Sequence, residues 1–94
     1  MKLAMQTFAA LVALALLGAT VEPALAQSGR CRELWVERNS IFKDRGYCFK
    51  TARAIRYFGN AGCSYDDEAS VPLSSGQRAR IAEIRRLERD FGCQ

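Results

Sequence analysis

Four cysteines in a short chain that contains no histidine set the strongest constraint on this fold. They stand at Cys31, Cys48, Cys63 and Cys93. Structural zinc sites draw their ligands in close pairs and commonly recruit imidazole. These cysteines are scattered, so no metal site is expected. Disulfides are the other use, provided the chain leaves the reducing cytosol. Three pairings are possible. We favour Cys48–Cys63 nested inside Cys31–Cys93, with the inner bond closing a short loop and the outer bond tying the two ends together. On loop entropy alone these bonds contribute about 3 and about 4 kcal/mol.

The amino terminus reads as the route out of the cytosol. Lys2 adds charge beside the start, and an apolar run follows from Phe8 to Leu17. Gly18 and Pro23 then loosen the chain, and Ala24-Leu25-Ala26 places small residues where a signal peptidase reads them. Residues 1–26 are therefore expected to be a secretory signal peptide, and residues 27–94 the mature domain. The run is shorter than the roughly 20 apolar residues that a spanning helix needs, and Glu22 lies just past it. No cysteine sits at the cut to carry a lipid. The mature product is expected to be periplasmic or secreted, with no transmembrane anchor.

A domain this small buries only about 60% of its unfolded surface and commonly needs covalent staples. It has no room for a deep, dry pocket, so an enzyme is not expected, nor is a cofactor. Nucleophilic catalysis needs a base beside the nucleophile, and histidine is missing. Ser74 and Ser75 read as helix caps. Asp66-Asp67-Glu68 reads as solvated loop acids. It lacks the helix–loop–helix spacing of a calcium loop.

Hydrophobic spacing predicts three helices. Gln27-Ser28-Gly29 reads as a flexible leader. The first helix is expected over 32–44, with Leu34, Trp35, Ile41 and Phe42 on one face and a stop at Gly46. Thr51 caps a short second helix over 52–58, with Ala52, Ile55 and Phe58 inward. Gly59-Asn60-Ala61-Gly62 ends it with residues that tolerate positive φ. Ser74 opens the longest helix, with Gln77 at capping-box spacing. Ile81, Ile84, Leu87 and Phe91 line its inner face, while Glu83–Arg86 and Arg86–Asp90 pair outside. Phe49 completes the core. The fold class is a small all-α, three-helix, disulfide-stapled domain with a short middle helix and an irregular 59–73 loop.

From Leu34 to Asp90 the chain resembles the YARHG domain, a small module of exported bacterial proteins. The stretch that carries the resemblance is Arg38-Asn39-Ser40-Ile41-Phe42-Lys43-Asp44-Arg45-Gly46-Tyr47. Arg38, Asn39, Ile41, Gly46 and Tyr47 fit the family pattern, and Phe42 keeps its aromatic ring without the hydroxyl. Lys43, Asp44 and Arg45 replace the alanine, arginine and histidine of the family name. Tyr57 to Tyr65 and Val71-Pro72-Leu73-Ser74 look like a four-cysteine branch. The resemblance implies an extracellular compartment and carries no established activity. Any acid–base role of the histidine in relatives is lost at Arg45.

The formal net charge is +4, most of it from arginine. Lys50, Arg53, Arg56 and Tyr57, with Lys43 and Arg45 nearby, form the candidate patch for an anionic ligand, since arginine matches carboxylate and phosphate as a fork. A solvated helix face is the bland alternative. Arg38 and Asn39 are read as structural, lying over core edges and a neighbouring turn. The function expected is a non-enzymatic exported module that binds an anionic wall or envelope component, or another envelope protein, with no specific nucleic-acid partner. The alternative is a secreted cationic effector or inhibitor acting on a partner enzyme or a membrane.

Overall fold

A computed structural model describes residues 22–94, with side chains described from Ser28 onward. The apolar run and most of the expected signal peptide lie outside the described residues. Three α-helices are present among them: α1 (Glu22–Asp44), α2 (Ala52–Phe58) and α3 (Ser75–Asp90). A 3-10 turn, Glu68–Ser70, interrupts the long loop. Among the described residues no helix is long and apolar enough to cross a membrane. The disulfide-stapled unit is Cys31–Gln94.

Helix α1 starts ten residues before the predicted Arg32, at Glu22, and is the longest of the three. The flexible leader expected at Gln27-Ser28-Gly29 is helical instead, and the expected cut after Ala26 falls within α1. Proline is tolerated in a first turn, and Pro23 occupies that place. The Ala, Leu and Gln residues that follow are strong helix formers. A lone Gly29 costs about 1 kcal/mol, too little to stop the helix.

The stop falls where the sequence places it. Gly46 adopts φ +90°, a left-handed conformation that favours glycine. The turn closes as the Tyr47 amide donates to the Phe42 carbonyl at 3.0 Å. Gly46 also lies under Tyr65, whose ring would stand 3.4 Å from a Cβ added there. That close approach lets Tyr47 and Tyr65 form a parallel β-bridge. The Cys48 amide donates to the Tyr65 carbonyl at 2.8 Å. Beside this bridge Cys48 is bonded to Cys63, and the second disulfide joins Cys31 to Cys93.

Helix α2 is capped by Thr51, whose hydroxyl accepts from the Ala54 amide at 3.2 Å. Its inward face differs from the predicted one. Ala54 is buried and Phe58 half-buried, whereas Ala52 is exposed and Ile55 is 41% exposed. A three-residue step falls about 60° short of a full helical turn. Ala52, Ile55 and Phe58 therefore drift around the helix, while Ala54 and Phe58, four apart, stay together. In the turn that follows, the positive-φ positions are Gly59 and Gly62. Asn60 instead ties the turn to the irregular segment at Phe49 beside it. Its side-chain amide accepts from the Phe49 N–H at 2.7 Å and donates to the Phe49 carbonyl at 3.0 Å.

Helix α3 opens on a full capping box. The Gln77 amide donates to the Ser74 hydroxyl at 3.1 Å, and the Ser74 amide donates to the Gln77 side chain at 2.9 Å. It runs antiparallel to α1. Ile84 and Leu34 are buried. Two inter-helix arginine forks that sequence spacing does not indicate join the pair: Arg38 with Glu88, and Arg80 with Glu37. Along α3 itself Glu83 meets Arg80 at 3.3 Å rather than the predicted Arg86, while Arg86 reaches Asp90 at 3.9 Å as expected.

The main core cluster gathers Phe42, Phe49, Ala54, Val71 and Ile81. An aromatic chain crosses it. Phe42 contacts Tyr47, Tyr47 meets Phe49 edge-on, and Phe49 stacks on Phe58 with ring centres 5.1 Å apart. Trp35 closes the chain against Phe58 at 5.7 Å. Val71 is a core residue that the helical faces do not include. It sits alone between loop residues, where no periodicity marks it.

Candidate functional site

The motif residues serve the scaffold. Arg38 donates through Nε and Nη2 to the two carboxylate oxygens of Glu88, at 2.7 and 3.0 Å. Both side chains of this pair are largely covered. Asn39 is buried, and its amide donates to the Trp35 carbonyl one turn back at 2.9 Å. Phe42 is core, Gly46 makes the turn, and Tyr47 lies half-buried between Phe42 and Phe49. Arg38, Asn39 and Tyr47 also line a cavity of about 250 Å³, together with Trp35, Phe49 and Lys50.

The loop acids separate instead of converging. Asp66 pairs with Lys50 at 3.2 Å, Asp67 accepts from the Ala69 amide as the cap of the 3-10 turn, and Glu68 pairs with Arg85 at 2.9 Å. Ser74 is engaged in its cap, and all four cysteines are in disulfides. A carboxylate with a shifted pKa is found elsewhere, at Glu37. The hydrogen bond from Arg80 holds its carboxyl below the ordinary value, against a smaller opposing effect of burial. The same bond raises Arg80 above its own usual range. This pair spans α1 and α3 at the surface.

The six basic and aromatic residues of the candidate patch divide into two groups. Lys43 donates to the Gly59 carbonyl at 3.1 Å and so caps the end of α2. Arg45 donates to the Pro72 carbonyl at 2.7 Å. Lys50 shares its charge with Asp66. These three are committed to holding loops in place. The others stand together on α2. Arg53 lies with its guanidinium carbon 3.8 Å from the centre of the Trp35 ring. Tyr57 is 52% exposed and meets the same indole edge-on at 5.6 Å. Arg56 is exposed in the last turn, and Ile55 is open beside it.

The geometry therefore trims the patch to Arg53, Arg56 and Tyr57, and adds Trp35 and Ile55. Spacing from Phe42 places Trp35 on the core face of α1, but the indole is only half-buried. One part of it packs on Phe58 and another carries Arg53. A guanidinium over an aromatic face gains cation–π stabilisation and loses rotamer freedom. The arrangement fixes one cation on a rigid apolar platform, with a second cation and a phenol hydroxyl beside it.

The sequence model of the YARHG domain matches residues 9–89, which takes in the whole stretch from Arg38 to Tyr47 and extends upstream of Leu34. No curated protein and no solved structure matches the chain. Covering most of the chain, the match shows that this chain belongs to the YARHG domain family.

Proposed function

We propose that this protein is a non-enzymatic exported module, periplasmic or secreted, that docks on an anionic component of the cell envelope through α2. The observation that carries the reading is Arg53 held over the Trp35 ring at 3.8 Å beside exposed Arg56 and Tyr57. A stacked guanidinium keeps its edge N–H groups available for a phosphate or carboxylate fork. Its conformation is already fixed by the indole, which lowers the ordering cost of binding. Two disulfides suit an oxidising compartment. A binding role fits a chain in which nucleophile, base and acid are not assembled: there is no histidine, and the cysteines, Ser74 and the loop acids have structural partners.

Co-sedimentation of the purified, disulfide-bonded protein with isolated envelope material tests this reading. Retention should fall at high salt, because contacts between exposed charges are screened. The double variant Arg53→Glu/Arg56→Glu should lose retention while keeping its thermal transition. Equal retention of that variant and the parent would remove α2 as the docking surface. Dye release from anionic vesicles by the parent would instead favour a membrane-active effector, with Ile55 and Tyr57 as the inserting residues.

A further inference from the structure

A second surface shares no residue with the α2 patch. A groove of about 680 Å³ runs between α3 and the loop that carries the 3-10 turn. Arg78, Arg85 and Arg89 line one wall, and Asp67 and Glu68 line the other. Leu73 and the core residues Phe42 and Ile81 supply its apolar lining. The three arginines recur at seven- and four-residue steps, so they fall on one face of α3.

Their pairing is uneven. Arg85 in the middle is neutralised by Glu68 at 2.9 Å, and its guanidinium carbon lies 5.9 Å from the Phe42 ring centre. Arg78 and Arg89, at the two ends, have no ion-pair partner among the described residues. A rise of about 1.5 Å per residue puts the backbone positions of these two residues roughly 16 Å apart along the helix. Two residues four apart on an extended peptide stand about 13–14 Å apart, and the flexible arginine stems take up the difference.

We infer that this groove binds an extended peptide segment of another protein, with two carboxylates about four residues apart and an apolar side chain between them. The end carboxylates meet Arg78 and Arg89. The apolar side chain lies over Leu73 and the closed Arg85–Glu68 pair. A uniform polyanion fits poorly, because it would set charge over the apolar floor and against Asp67 and Glu68. The groove thus discriminates by charge pattern, where the α2 surface selects for charge alone.

Titration of the disulfide-bonded protein with acetyl-Asp-Ala-Leu-Ala-Asp-amide, followed by amide chemical shifts, tests the inference. Saturable shifts should appear at Ala69, Arg78, Ala82 and Arg89. The peptide with both Asp replaced by Asn should bind at least about fivefold more weakly, the order expected for two exposed ion pairs. Arg78→Gln/Arg89→Gln should weaken the parent peptide by a similar factor, and Arg53→Glu/Arg56→Glu should leave it unchanged. That last variant separates this site from α2. Failure to shift these amides would overturn the inference. So would equal affinity of the Arg78→Gln/Arg89→Gln protein, or inorganic polyphosphate moving the same amides as strongly as the peptide.

Discussion

The two ends of the domain are held by different means. Where α1 and α3 run side by side, Cys31–Cys93, Arg38–Glu88 and Glu37–Arg80 tie one helix to the other. Around α2 the ties are Cys48–Cys63, the Tyr47–Tyr65 bridge, the Asn60 amide and a chain of stacked rings. The first set braces regular helices by charge and sulfur. The second fixes irregular backbone, and it leaves Trp35, Arg53 and Tyr57 at the surface as a by-product of how α2 is seated. A small domain can be rigid at both ends and still keep an open face at the one held by rings and turns.

Removing each disulfide should separate the two ends most sharply. The outer bond closes a 62-residue separation and the inner bond one of 15. On chain entropy the outer loss, Cys31→Ala/Cys93→Ala, costs about 4 kcal/mol and the inner loss, Cys48→Ala/Cys63→Ala, about 3. Denaturant unfolding of the two double variants measures both. The ranking reverses if the bridge depends on the inner bond for more than loop closure. In that case the Cys48→Ala/Cys63→Ala protein would also lose the protection of the Cys48 and Tyr65 amides from hydrogen exchange.

Legibility in the sequence follows the same division. The helices with long periodic faces are readable: Ile81 and Ile84 on α3, Leu34 and Phe42 on α1, and the Ser74–Gln77 capping box all lie where spacing puts them. The start of α1 is not, because Gly18 and Pro23 look like breakers although proline fits a first turn. In α2 a two-turn helix offers too few positions for a period to be measured, so spacing turns Ile55 inward and passes over Ala54. Val71 and Asn60 leave no periodic trace, since loop residues are placed by single contacts. The candidate patch is half legible. Spacing finds Arg53, Arg56 and Tyr57, but charge alone does not reveal that Lys43, Arg45 and Lys50 hold loops. Long-range forks such as Arg38–Glu88 are invisible to any local window.

The next contrast is between two single side chains, one from each end. Asn60→Ala leaves both backbone groups of buried Phe49 without the partner they have now. Stranding such groups costs about 2 kcal/mol. Arg38→Ala strands Glu88, which is 13% exposed, and removes a two-pronged bond. That falls in the same range, about 2 kcal/mol, because a charge-assisted pair under cover is harder to replace with water than a surface one. Thermal unfolding of the two variants should give similar losses. A much larger loss for Asn60→Ala would mean that the turn after α2 organises the aromatic chain as well as closing it.

The smallest effect comes from the surface fork, Glu37 with Arg80, whose side chains are 44% and 40% exposed. The Arg80 hydrogen bond lowers the Glu37 pKa from an ordinary value of 4.5. A carboxylate lowered in the folded state adds stability that is fully present above its unfolded pKa. That contribution fades as the pH falls below about 4.5 and is gone once the pH passes the lowered folded value. Arg80 is pushed further from titration, so it stays charged across the window. At neutral pH the Glu37→Gln protein should therefore be slightly less stable than the parent, and the gap should close on the acid side. It should also shrink in high salt, as an exposed pair is screened. Unfolding curves for the two proteins across the acid range measure the gap directly. A gap that persists unchanged at low pH would mean that the ionised Glu37–Arg80 pair does not brace the two helices. The bracing of the α1–α3 end would then rest on Cys31–Cys93 and Arg38–Glu88 without it.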